Sequence, residues 1–165
     1  MKTENLEAVI NIDGACSGNP GPAGLGVLIC HPCGEVYEEI SEYIGEATNN
    51  IAEYRAFIKA LERSRVLGLK RIAVYSDSEL LVKQILGEYK IKNKDILKLA
   101  TEAGEICKSF QKLYLKYLPR EQNSRADKLA RLAVKKHTTR LPPRAKKIKS
   151  KSQAGQAIAP NIFEG

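Results

Sequence analysis

Four of the sequence's nineteen acids sit where solvent does not explain them. Asp13 follows the apolar run "INI" at the carboxyl end of an expected strand. Asp77 follows "IAVYS" in the same way. Glu53 lies in the first turns of an expected helix, at the margin of its apolar stripe. Asp127 lies just inside another, in "NSRADKLA", beside the inward-facing Ala126 and Ala130. Most of the other acids lie on polar faces beside lysines. Singly, each of the four has an ordinary use. A helix-start acid complements the macrodipole, and a strand-end Asp caps a turn. Gathered at one place they would repel and raise one another's pKa values. Hard divalent cations resolve that conflict: Mg²⁺ takes carboxylate and water oxygens and shares its shell with phosphate. Two such ions about 4 Å apart can activate a water and stabilise the leaving oxygen in phosphodiester cleavage.

The elements that must gather these acids are legible from periodicity. "LEAVINID" (6–13) alternates, with Leu6, Ala8, Ile10 and Ile12 on one face and Asp13 on the other, which predicts a strand ending at the acid. "AGLGVLICH" and the more polar "EVYEEISEYI" follow as second and third strands, joined at Gly34, and the three read as an antiparallel meander. "TNNIAEYRAFIKALERSRVLG" has helical spacing, with Ile51, Tyr54, Ile58 and Leu61 in one stripe. Thr48 or Asn49 can cap its start and Gly68 ends it. A strand "RIAVYS", a helix "DSELLVKQILGEY", a helix from Asn93 to about Phe110, a strand "KLYLKYL" and a helix from about Asn123 to Lys136 complete the pattern. The order βββ-α-β-α-α-β-α predicts an α/β fold: one five-stranded mixed sheet with helices on its faces. In open α/β sheets, ligand sites form at the carboxyl ends of strands, where Asp13 and Asp77 fall.

Charge divides the chain. Residues 135–165 hold eight Lys/Arg against one acid, a net of +7, while residues 1–134 hold 19 against 18, a net of +1. Such a basic segment attracts polyanions, nucleic acid above all. With its paired prolines and dense lysines it reads as a flexible tail on a single domain, the boundary falling at 136/137. No apolar run approaches the roughly 20 residues that span a bilayer. The N-terminal "MKTENLEAV" lacks a signal-peptide core, so a cytoplasmic location is expected. Cys30, His31 and Cys33 form a "CHPC" in the expected hairpin turn. Without a second Cys/His pair at finger spacing it reads as a turn that holds two thiols.

"DGACSGNPGPAG", "TNNIAEYRA", "VYSDSELLVKQ" and "NSRADKLA", in this order and on these elements, resemble the type 1 ribonuclease H family over about residues 6–136. The resemblance implies a ribonuclease H-like fold and cleavage of the RNA strand of RNA/DNA hybrids with Mg²⁺ or Mn²⁺, leaving 5′-phosphate and 3′-hydroxyl ends. It implies that Asp13, Glu53, Asp77 and Asp127 are the metal-binding carboxylates, with two ions present alongside substrate. It places Asn19, Asn50 and the backbone at Gly14 and Ala15 against the hybrid near the scissile phosphate, Asn49 in the minor groove on the DNA side, and Thr48 on a DNA phosphate. The glycine-rich run after Asp13 then has an expected purpose: backbone amides must approach an RNA strand that bulky side chains would hold off. Double-stranded RNA is a further candidate substrate, and a monomer is expected.

Three departures accompany the resemblance. The His that well-studied members carry in a loop before the last acid is missing from "LPREQNSRAD", as in the family's shorter-loop branch, and Arg120 is the candidate phosphate or product contact there. Glu79 stands where a Gln is common. The chain has no Trp, and only "GEYKIKNKD" occupies the place of the basic, Trp-rich protrusion that many bacterial members have. The basic tail is therefore expected to supply hybrid affinity in its stead. Competing readings fare worse. A 3′–5′ exonuclease of the related four-acid group would carry a second acid spaced one from Asp13, where Gly14 and Ala15 follow instead. A non-catalytic hybrid-binding module would have lost an acid. A dinucleotide site needs its glycines before a helix, whereas "GPAGLG" precedes a strand.

Overall fold

A computed structural model of the protein describes residues 5–140. Five strands and four α-helices follow in the expected order. They are β1 (Ala8–Cys16), β2 (Gly21–Cys30), β3 (Val36–Ala47), α1 (Asn49–Val66), β4 (Arg71–Ser76), α2 (Glu79–Ile85), α3 (Lys94–Cys107), β5 (Lys112–Tyr117) and α4 (Ser124–Arg140), with a short 3₁₀ turn, Arg120–Gln122, before α4. They build one mixed sheet of order β3-β2-β1-β4-β5. β1, β2 and β3 pair antiparallel, whereas β4 runs parallel to both β1 and β5. Among the described residues no helix is long and apolar enough to cross a membrane. The compact unit that holds the sheet ends at Val134. The expected tail lies outside the described residues from 141 onward.

The core lies between the sheet and α1. Ile10 and Ile12 of β1, Leu25, Val27 and Ile29 of β2 and Ile72 and Val74 of β4 meet Tyr54, Phe57 and Leu61 of α1, all fully buried. Each side chain of this size contributes roughly 1.5–3 kcal/mol of transfer free energy. α4 covers the sheet's other face over β2 and β3. Ser41 Oγ donates to the Leu129 carbonyl at 2.6 Å. A Cβ placed on Gly24 would lie 2.8 Å from the Ala130 carbonyl oxygen, and one on Gly26 would overlap the Ala126 carbonyl oxygen. Sandwiched between α1 and α4, β2 is buried on both faces, which explains its near-continuous apolar sequence.

Several boundaries differ from the sequence reading: α4 runs to Arg140, so that residues 137–140, expected to open the tail, are helical, and β3 runs to Ala47 rather than Ile44. The helix expected over "DSELLVKQILGEY" is only Glu79–Ile85: Ser78 caps it by accepting from the Leu81 N–H, and Gly87, at φ +82°, lies in the left-handed region just past its end. β1 does not end at Asp13 but runs on to Cys16. Its pairing with β4 stops at Ile12↔Ser76, while its pairing with β2 continues through Asp13↔Gly26 to Cys16↔Ala23. Asp13 therefore sits inside a strand but beyond the end of one neighbour.

Candidate active site

That half-open stretch of β1 is where the acids meet. Asp77 directly follows Ser76, the last residue of β4, whose buried hydroxyl accepts from the Ser78 N–H at 3.0 Å and shapes the turn. Glu53 arrives one turn into α1. Thr48 starts that helix, its Oγ1 accepting from the Ile51 N–H at 3.2 Å. Gly14 lets the helix come close: a Cβ there would lie 2.5 Å from the Ala52 carbonyl carbon and the Glu53 nitrogen. Asp13, Glu53 and Asp77 thus each offer a carboxylate oxygen, all within 4.8 Å of one another. Among the described residues this is the only grouping of three or more His, Cys, Asp and Glu side chains suited to a metal. The "CHPC" turn forms none, although Cys33 Sγ lies 3.1 Å from His31 Nδ1, and all four cysteines are free.

Asp127, the fourth expected acid, stands outside this triplet. Arg131, one turn along α4, donates from Nε to its Oδ1 at 3.0 Å. Asp127 is nevertheless close enough to act on Asp13. Burial pushes the Asp13 carboxyl up to about 8, and the charges of Asp77 and Asp127 push the same way, against a hydrogen bond with Glu53. Glu53 is also held well above the usual carboxylate range, first by burial and then by Asp13 and Asp77, with the Gly14 N–H pulling it back. Its Oε2 is buried without a hydrogen-bond partner. A buried carboxylate oxygen left orphaned, beside two more carboxylates, is the chemistry of a hard-cation site. The residues present fit a divalent ion.

The expected substrate contacts surround this cluster unevenly. Asn19 Oδ1 accepts from the Asn49 N–H at 3.0 Å, tying the loop after β1 to the start of α1. Cys16 Sγ donates to Asn49 Oδ1 at 3.5 Å. Asn50 Oδ1 is buried without a partner. Gly14 is buried inside β1 against α1, and Ala15 is half-buried. Glu79, on the first turn of α2, is exposed and paired with Lys83 at 3.0 Å. Arg120 is exposed on the 3₁₀ turn before α4. The glycine-rich stretch also has a packing use. Gly14, Gly24 and Gly26 admit helices α1 and α4 to the sheet, so that Glu53 and Asp127 can approach it.

Sequence reasoning passed over Asn11 and took Asn123 only as a helix start. Asn123 is 1% exposed and joins α4 to β1: its Nδ2 donates to the Ile12 carbonyl at 2.8 Å, and its Oδ1 accepts from Asn11 Nδ2 at 3.0 Å. The one available signal was Asn11 itself, an amide set in an otherwise apolar strand.

Comparison with known proteins agrees with this geometry. A family model described as "Reverse transcriptase-like" matches residues 11–133. The chain is 40% identical over 130 residues to a bifunctional protein of Mycobacterium tuberculosis, covering 78% of this chain but 36% of that protein, so it spans about a third of that relative's length. It is 38% identical over 122 residues to the ribonuclease HI of Halobacterium salinarum, covering 74% of this chain and 61% of that one. A crystal structure of RNase H1 from Halobacterium salinarum matches with a TM-score of 0.77 at 36% identity, over 78% of this chain and 98% of that one. LC11-RNase H1, solved in complex with an RNA/DNA hybrid, matches with a TM-score of 0.76 at 40% identity, over 79% of this chain and 99% of that one. A five-stranded mixed sheet, three acids converging where β4 ends and a fourth brought up by the last helix are arranged here on a chain that belongs to the type 1 ribonuclease H family.

Proposed function

We propose that the protein is a metal-dependent endonuclease that hydrolyses the RNA strand of RNA/DNA hybrids. The observation that carries this is the convergence of Asp13, Glu53 and Asp77 within 4.8 Å, with an orphaned buried oxygen on Glu53, in a chain of this family. Those three residues would hold one divalent ion, Mg²⁺ or Mn²⁺. Asp13, which feels both the triplet and Asp127, is suited to share in a second site with Asp127. When bound, two such ions supply an activated water and neutralise charge on the leaving 3′-oxygen, which gives 5′-phosphate and 3′-hydroxyl ends. The chemistry requires no covalent nucleophile from the protein.

The chain's own residues orient the hybrid. Asn19 spends its carbonyl oxygen on Asn49, which leaves its NH₂ to donate. Thr48 accepts from Ile51 and keeps its hydroxyl proton for a phosphate oxygen. Asn50 and the backbone at Gly14 and Ala15, next to the acids on α1 and β1, face the RNA strand in this reading, where a 2′-hydroxyl is read in a wide, shallow minor groove, and Asn49 faces the DNA side of that groove. Arg120, exposed on the 3₁₀ turn before α4, is the candidate phosphate contact, and Glu79 is the contact from the start of α2. The protein acts as a monomer in this reading, in the cytoplasm, with the hybrid as its partner and double-stranded RNA as a further candidate substrate.

The test is a panel of end-labelled duplexes of one sequence, RNA/DNA, RNA/RNA and DNA/DNA, each with Mg²⁺, Mn²⁺ or chelator. The expected result is metal-dependent cutting of the RNA strand of the hybrid, with the DNA strands intact. Cutting of DNA/DNA, or cutting undiminished by chelator, would overturn the proposal.

A further inference from the structure

The Asn11–Asn123 pair goes beyond the acids and substrate contacts. From the geometry we infer that Asn123, its amide satisfied by Asn11, is a positioning residue that sets Asp127 against Asp13 for the proposed reaction, an inference that rests on that reading. The two acids belong to elements far apart in sequence, and Asn123 bonds to the backbone beside each of them. On one side its Nδ2 is donated at 2.8 Å to the carbonyl of Ile12, the residue before Asp13. On the other its backbone carbonyl accepts from the Asp127 N–H at 3.1 Å, the first intrahelical bond of α4.

The bond to Ile12 is made where the parallel ladder with β4 ends, so α4 is tied to β1 at the last residue before the strand opens into the site. The Ile12 carbonyl, which can only accept, fixes which way the Asn123 amide faces: a flipped Asn123 would set its Oδ1 against that carbonyl, acceptor on acceptor. Asn11 Nδ2 then supplies the donor that the buried Asn123 Oδ1 needs. Because Asn123 is fully buried, water cannot take up a lost bond.

Asn11→Leu, Asn123→Ala and the double variant test this in the full chain. Leu at position 11 suits a strand and leaves the bond from Asn123 to the Ile12 carbonyl in place, so Asn11→Leu is the milder variant and serves where Asn123→Ala does not fold. In Asn11→Leu the expected result on a labelled hybrid with Mn²⁺ is a kcat about tenfold lower, with KM within twofold, because the hybrid contacts lie elsewhere. Where Asn123→Ala folds, adding Asn11→Leu to it should cost nothing more. An unchanged kcat in folded Asn11→Leu, or losses that multiply in the double variant, would overturn the inference. Failure of the unmodified chain to cut the hybrid would instead overturn the functional proposal. Hydrogen exchange then decides the clamp alone: faster exchange in the first turn of α4 in Asn11→Leu, with α1 unchanged, supports it, and unchanged exchange overturns it.

Discussion

At the scale of single residues, Asp13 is a carboxyl whose surroundings favour its protonated form. Burial and two neighbouring acids raise it to about 8 in the folded protein, against an ordinary value near 3.8. A raised folded-state value contributes stability that is fully present below the unfolded value and lost as pH rises through the folded one. The metal-free protein is therefore expected to lose stability between about pH 4 and pH 8, each pH unit being worth at most about 1.4 kcal/mol from this group. Asp13→Asn should flatten that dependence and leave the metal-free protein more stable than the unmodified one at pH 8. Urea midpoints at pH 5 and pH 8 in chelator measure both; an equal slope in the two proteins would refute the assignment. For the same reason Mn²⁺ binding, which must displace the Asp13 proton, should tighten from pH 6 to pH 8 in a calorimetric titration. Affinity that is flat or weaker at pH 8 would contradict it.

At the scale of elements, the site depends on how closely two helices approach the sheet. Gly24 and Gly26 give α4 its seat, and a methyl group on Gly26 would collide with the helix backbone at Ala126, one residue before Asp127. Gly26→Ala is expected to cost about 3 kcal/mol and to lower turnover beyond that, since α4 must shift; urea unfolding and kcat, measured separately, read the two effects. A stability within about 0.5 kcal/mol of the original would mean that the contact relaxes freely.

The elements were largely legible in the sequence, and the contacts between them were not. β4 runs Arg71–Ser76 as its apolar pattern predicts, and Thr48 caps α1 as its type predicts. The end of β1 was misplaced because Asp13 looks like a terminus, when in fact only one of its two neighbouring strands stops there. The glycines around it signal close approach, but a sequence does not say of what. Helices fill that space as well as a ligand would. The four acids were found from their places on elements. The Arg131–Asp127 pair and the Asn11–Asn123 bond join residues in ways that no local pattern singles out.

At the scale of the whole molecule, the separation of charge is the main feature. The segment 135–165 carries +7 and the rest of the chain +1. The acids of β3 are largely spent internally: Glu38 takes Arg63 of α1 through two bonds of 2.7 Å, Glu42 takes Lys59, and Glu39 takes Arg125 of α4. With a nearly neutral body, affinity for a polyanion should come mostly from the C-terminal lysines. Truncation after Lys136 is expected to raise KM for the hybrid at moderate salt and to flatten the dependence of log KM on log salt, with kcat little changed. An unchanged KM and slope would assign the tail no part in binding.

The central claim is that the acids gathered where β4 ends carry out the cleavage while other residues hold the substrate. Asp77→Asn tests it most directly, because it removes one carboxylate of the triplet, and Asn is close in shape to Asp. Rates of hybrid cleavage at saturating Mn²⁺ and hybrid Kd in chelator are measured side by side. The account predicts a loss of at least about a thousandfold in kcat with Kd unchanged. Retained cleavage in that variant would contradict it.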